Sequence, residues 1–258
     1  MMQSLPKFNI SSYEALLNEL ADIGSNFRLI SEIDQANKGD VFIRHDLDFS
    51  VELAVPMAKA EKKMGISSTY YILLSGLYNP FSKNSLNAIL NILESGHEIG
   101  LHYDLSLYPV EKKAALNRLS VEINFLEEIL GSKINSIVMH EPYKGGVDLF
   151  EDNDLYINPM FFFKKNEKMM YVSDSCRAWR DESLLHYLNG DSSFEQLMLN
   201  IHPESWLSNK SQHRLTYLEE TLVPKILEPI ENYYKNIVKS VWQTHSAPLN
   251  GFGDSDEV

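Results

Sequence analysis

The sequence predicts an α/β protein built from alternating, parallel strand–helix units. Three observations carry this reading. Short apolar runs of strand length alternate with amphipathic segments of about 10–15 residues; glycines such as Gly24, Gly65, Gly96 and Gly131 punctuate them; and His or carboxylate residues stand at the C-terminal ends of several runs.

Taken in order, Ser11 and Ser12 precede Tyr13, Leu16, Leu17, Leu20 and Ile23 at helical spacing, with Gly24 behind them, so a capped helix of about a dozen residues is expected first. After Gly39 the run 41–47 reads as a buried strand, and Ser50 opens a second helix through Leu53, Met57 and Met64 to Gly65. A strand is expected over 67–74, a helix over 82–94, and a short strand over 98–102. Pro109 starts a long helix to Leu130, and a strand over 134–140 follows. Beyond Gly145 the rhythm loosens, with strands expected at 155–157, 169–172 and 197–201. A long helix over 215–238 then contains Pro224 and Pro229, which kink or split it. No repeat of fixed period is present.

With 258 residues and no linker or low-complexity run, the chain is read as one domain, with 1–40 as an N-terminal helical extension and 41–250 as the barrel. Acidic residues outnumber basic ones 36 to 23, and no basic stripe stands out, so nucleic acid is not an expected partner. The N-terminus lacks a basic then apolar signal pattern, and no apolar run approaches spanning length. A soluble cytoplasmic protein without membrane insertion is therefore expected. The single cysteine, Cys176, suits a reducing compartment; Arg177 and Arg180 nearby do not by themselves make it reactive.

The chemistry concentrates in Arg44-His45-Asp46-Leu47-Asp48, at the end of the run Val41-Phe42-Ile43. Asp46 and Asp48 share one face of an extended strand, and two converging carboxylates call for a cation, one acting as ligand and the other as base. His45 faces the opposite way, toward the packing layer. His102 and Asp104 follow the third strand, His140 and Glu141 the fourth, and His202 a later one. One carboxylate and imidazoles with an open position suit zinc or a similar divalent ion, and His202 suits a proton donor. His186 and His213 read as structural or solvated. His245 either ends a last strand at the site or lies in a tail.

The order RHDLD, Gly96-His97-Glu98-Ile99-Gly100-Leu101-His102, His140-Glu141-Pro142-Tyr143 and Ile201-His202-Pro203 resembles the polysaccharide deacetylases of the NodB-homology type, carbohydrate esterase family four. Within these, the arginine-led first motif and the GHEIGLHYD form look most like the WbmS-like subgroup. The resemblance spans about 41–206 and implies a distorted (β/α) barrel of about seven parallel strands. It also implies metal-dependent hydrolysis of an N- or O-acetyl group on a sugar or glycan intermediate of surface-polysaccharide (lipopolysaccharide) synthesis, with metal-bound water as nucleophile.

By the same resemblance Asp46 is the general base, Asp48 and His102 bind the metal, His202 is the general acid, the backbone N–H of Tyr143 helps hold the oxyanion, and Asp174 tunes His202. The family's second metal-binding His falls on Ser106 here. His140 is the preferred third ligand, with Asp104 or His245 as alternatives. Zinc is the expected ion, and cobalt, nickel or manganese the other candidates. Trp179 and Trp206 are either pocket walls or core. A barrel that has lost catalysis and binds a glycan or protein partner, and a different metal-dependent amidohydrolase, are the rival functions.

Overall fold

The computed structural model describes residues 4–144, 147–208 and 213–244, which group into two compact units, Met1–Ser211 and Gln212–Val258. In the first unit seven parallel strands form one sheet: β1 (Asn26–Arg28), β2 (Asp40–Leu47), β3 (Thr69–Leu73), β4 (Glu98–Tyr103), β5 (Ile137–Met139), β6 (Met169–Ser173) and β7 (Gln196–Ile201). Their order is β5-β4-β3-β2-β7-β6. One edge of β2 pairs with β7. The other is shared, residues 40–42 pairing with β1 and 44–47 with β3. Among the described residues the curved sheet stays open between β5 and β6, so it is a distorted barrel with a gap, flanked by the parallel bridge Ser136–Ile157.

Strand alternation sorts the side chains into two layers. Phe42, Tyr71, Val138, Met169 and Met198 meet inside with Ile30 and Ile33 from the turn Ile30–Gln35, filling the N-terminal end of the barrel. Gly100 on β4 is the one inward position that must be bare, since a Cβ there would lie 2.3 Å from the Tyr71 ring. The outward residues pack under helices α1 (Ile10–Asp22), α2 (Val55–Lys63), α3 (Lys83–Glu94), α4 (Lys112–Leu130) and α6 (Ser183–Leu188), whereas α5 (Pro159–Lys165) packs Met160, Phe162 and Phe163 against the inner cluster.

Differences from the sequence reading lie at element ends and in short elements. The segment 1–40 is more than helical, because it supplies β1. Asn9, not Ser11, caps α1, its side chain accepting from Ser12 N at 2.9 Å. The helix expected from Pro109 begins at Lys112, where the Glu111 carboxylate accepts from two backbone N–H groups. The strand expected over 134–140 is reduced to Ile137–Met139, and that over 155–157 to a single bridge.

The second unit contains one long helical segment: α7 (Arg214–Tyr217), a π-helical turn (Leu218–Leu222) and α8 (Val223–Thr244). Pro224 offers no N–H to the carbonyl four residues before it, which falls in the wider π turn, and Pro229 lies inside α8. No helix of the described residues is long and apolar enough to cross a membrane.

Candidate active site

The site grows from the alternation of β2. Arg44 and Asp46 point into the barrel, Asp48 follows just past the strand end, and His45 points out. Outside, His45 Nε2 donates to Glu61 Oε1 of α2 at 2.7 Å, and its ring stacks on Tyr70 at 4.2 Å. Inside, Arg44 Nη2 donates to Asp46 Oδ2 at 2.7 Å, both side chains buried, with the guanidinium 5.9 Å from the ring centroids of Tyr71 and Tyr171. Burial opposes ionisation of Asp46, but the Arg44 guanidinium, with the His202 imidazole beyond it, outweighs this and holds the carboxyl below its usual range. Asp46 Oδ1 has no hydrogen-bond partner among the described residues.

Asp48, His102 and His140 meet beside Asp46 and form the one cluster of three or more metal-competent side chains among the described residues. Asp48 Oδ1 lies 3.3 Å from His102 Nε2 and 3.3 Å from His140 Nδ1, and the two nitrogens are 3.1 Å apart. His102 Nδ1 sits 3.0 Å from the Val138 carbonyl, so it is the protonated nitrogen and Nε2 presents a lone pair to the other two atoms. Buried Asp48 Oδ1 has no well-aligned donor. Three electron-rich atoms therefore converge with at most one proton among them, a costly arrangement without a cation. Ligands of a tetrahedral zinc ion stand roughly 3.3–3.6 Å apart, given Zn–N and Zn–O lengths of about 2.0–2.2 Å. The residues present fit a divalent ion.

His202 follows β7 and completes the rim. Its Nδ1 donates to Asp174 Oδ1 at 2.6 Å, while Nε2 lies 4.0 Å from Asp46 Oδ2 and 3.9 Å from Asp48 Oδ2. Asp174 is fully buried and also accepts from His202 N and from Trp206 Nε1, the latter at 2.6 Å. Burial alone lowers the basicity of His202, but the Asp174 carboxylate reverses this and holds the imidazole well above its ordinary value. Glu204 is pushed up to about 8 by burial, which outweighs the opposing charge of His202. A cavity of about 380 Å³ opens over Asp46, Asp48, His102 and His202, with Arg44, Asn200, Ser173 and Arg180 in its walls.

Other predicted residues fall as follows. Asp104 is occupied as a cap, accepting from Ser106 N at 3.0 Å and Ser106 Oγ at 2.6 Å, and is not in the metal-competent cluster. Tyr143 lies in the short turn Pro142–Lys144 after β5. His245 lies outside the described residues. Neither Trp179 nor Trp206 lines the cavity. They pack together with Phe8 in the outer core, and Trp206 supports Asp174. Cys176 is exposed.

The sequence reading passed over Arg44 and Asn200 as site residues. They are register partners on β2 and β7, and Arg44 Nε, Arg44 Nη1 and Asn200 Oδ1 have no hydrogen-bond partner among the described residues. The available signal was parity, since Arg44 stands two residues before Asp46.

No family model and no curated protein matches the sequence. Solved structures do. The likeness is to carbohydrate esterase family 4 (CE4). A CE4 family pseudoenzyme from Bacillus anthracis is 14% identical, with TM-score 0.42, covering 75% of this chain and 62% of that one. The Xyl-CE4 domain of a multidomain xylanase from the hindgut metagenome of Trinervitermes trinervoides is 12% identical, with TM-score 0.42, covering 81% and 85%. A family 4 acetyl xylan esterase from Clostridium thermocellum, in complex with a cobalt ion, is 10% identical, with TM-score 0.42, covering 73% and 84%. The chain spans less than two thirds of the pseudoenzyme's length. At these identities the likeness is one of fold.

Proposed function

We propose that the protein is a divalent-metal-dependent hydrolase that removes an N- or O-linked acetyl group from a sugar during synthesis of a surface polysaccharide. The observation that carries the reading is the convergence of Asp48 Oδ1, His102 Nε2 and His140 Nδ1 at 3.1–3.3 Å, next to a carboxylate with a free oxygen and an imidazole with a protonatable Nε2. The motif order that resembles the NodB-type deacetylases supports the sugar substrate.

Asp48, His102 and His140 would hold the ion, zinc suiting this donor set best, which supplies Lewis acidity toward the acyl carbonyl and water. Arg44 ties down Asp46 Oδ2 and leaves Oδ1 to take a proton from water. Asp174 fixes Nδ1–H of His202, so Nε2 faces the cavity and delivers a proton to the departing amine or alcohol. The backbone N–H of Tyr143 is the proposed donor to the oxyanion.

The test is acetate release from a panel of N- and O-acetylated sugars by purified protein of known metal content. Activity falls on chelation and returns with zinc or cobalt. Asp46→Asn loses turnover and keeps metal, whereas Asp48→Ala loses the metal. Full activity in metal-free protein refutes the metal role, and metal-loaded protein inert on the whole panel refutes the reaction.

A further inference from the structure

Residues 5–9 lie across the two loops that carry His202 and its partner. The loop after β6 holds Asp174 and Trp179, and the turn after β7 holds His202, Trp206 and Leu207. Trp179 Nε1 donates to the Pro6 carbonyl at 2.9 Å, and Asn9 forms an antiparallel bridge with Leu207. Between these anchors the Phe8 ring stacks on Trp179 at 5.5 Å and meets Trp206 edge-on at 5.3 Å. Arg177 joins the same elements again, its Nε donating to the Ser205 carbonyl at 3.0 Å and its guanidinium lying 5.4 Å from the centre of the Phe8 ring. The loop reaches this geometry under strain. Cys176 and Arg177 both have left-handed backbone, with φ of 58° and 54°, which persists in residues bearing a Cβ only where surrounding contacts hold it.

The contacts lead to His202. Trp206 is completely buried, with the rings of Phe8, Tyr13 and Trp179 at 5.3, 5.4 and 6.1 Å. Its indole N–H donates to Asp174 Oδ2 at 2.6 Å, while His202 Nδ1 donates to the other oxygen, Oδ1. The indole therefore fixes the rotation of the carboxylate, and the carboxylate fixes the imidazole. Phe8 is half-buried and does not line the cavity. Without its ring the indole loses packing on one side and is free to tilt away from Asp174.

We propose that Phe8 is a positioning residue for the reaction: through Trp206 and Asp174 it holds His202 Nε2 toward the bond that breaks, so residues 5–9 serve the chemistry from outside the cavity. This rests on the role given to His202 above, and one readout needs no substrate. In zinc-loaded full-length protein, proton–nitrogen NMR follows the Trp206 indole N–H, identified by its loss in Trp206→Phe, and the His202 Nδ1–H, identified by its loss in His202→Gln. In Phe8→Ala the indole N–H exchanges with solvent about tenfold faster, and the His202 Nδ1–H resonance moves upfield as its bond to Asp174 weakens. Acetate release falls about 10–100-fold in kcat, with KM and metal content unchanged. Phe8→Leu, a milder truncation, moves all three readouts the same way, and Phe8→Tyr restores them. Leu20→Ala truncates a completely buried side chain of the same outer core, about two turns along α1 from Tyr13, and lowers Tm without moving either resonance or kcat. Phe8→Ala with resonances or kcat like the parent, or Leu20→Ala that moves them equally, overturns the proposal. If the parent is inert on the whole panel, the reaction assigned to the barrel fails instead, and the two resonances alone uphold or overturn the hold of Phe8 on His202.

Discussion

Replacing Glu61 by Gln tests the support beneath the first motif. Glu61 is completely buried on α2 and accepts from His45 Nε2 at 2.7 Å, Ser68 Oγ at 2.6 Å, Tyr70 OH at 2.7 Å and Tyr13 OH. His97 does not add a donor. Its Nδ1 accepts from Ser68 N and its Nε2 donates to the Ala58 carbonyl, and burial lowers its basicity. Burial works against a charged Glu61, but the charge and hydrogen bond of His45, with the hydrogen bond of Ser68, outweigh it and hold the carboxyl at about 2, against an ordinary 4.5. At 1.36 kcal/mol per pH unit, that gap is worth about 3 kcal/mol at neutral pH. The glutamine amide also points two N–H donors at groups that are themselves donors.

Glu61→Gln is therefore expected to lose about 3 kcal/mol in urea unfolding at pH 7, or roughly 6–12 °C in Tm for a unit of this size. The pH dependence has a definite sign. Below about 4.5 the unfolded chain binds a proton at Glu61 that the folded chain refuses until about pH 2, so this stabilisation is complete above 4.5 and lost as pH falls toward 2. The variant lacks the group, and the remaining carboxylates are common to both proteins. The gap between parent and variant should thus shrink steadily from pH 5 to pH 3. A variant as stable as the parent at pH 7, or a gap that stays constant down to pH 3, would refute a charged carboxylate at the centre of this network.

Three further outcomes follow from the geometry. His140→Ala should weaken metal binding by at least the ~10–100-fold that loss of a mere outer-shell partner costs, whereas Asp104→Ala leaves it unchanged; competition with a chelating dye reads both, and the reverse ranking would reassign the third ligand. Asp174→Asn should lower acetate release by about 10²–10⁴-fold with metal content intact, because the orientation and protonation of His202 depend on that carboxylate; a metal-loaded variant of normal turnover excludes His202 as the proton donor. Gly100→Ala should cost about 1–3 kcal/mol in thermal or urea unfolding, since its Cβ would lie 2.3 Å from the Tyr71 ring, and a neutral result would mean that Tyr71 moves freely.

The strands that flank the site were legible because their apolar runs are long and their ends carry polar residues that a buried strand would not otherwise tolerate. β1 was not, because Asn26-Phe27-Arg28 is too short to show a period and pairs only through residues fourteen positions on. Helix starts shifted where a side-chain cap outcompeted the expected signal, as Glu111 did over Pro109. Parity within β2 separated Asp46 and Asp48 from His45 correctly. It also placed Arg44 inside, but the meaning of that position depends on Asn200, Tyr71 and Tyr171, which only the register of β3, β6 and β7 brings alongside. Trp206 reads as core from composition. Its donation to Asp174 crosses 32 residues and leaves no local trace.

Ser106 and His140 are connected by the geometry. A serine at 106 presents both its N–H and its hydroxyl to Asp104 Oδ1, so the nearest carboxylate on that loop turns into a cap and leaves the cavity. His102 has its Nδ1 anchored to the carbonyl of Val138 on β5. His140 follows that same strand, its N–H bonded to Tyr103 O, and brings its own ring to 3.1 Å from His102. The strand pairing that orients one imidazole thus delivers the other. The cation beside Asp46 comes from within β2 itself, from Arg44, two residues before the carboxylate it pairs with.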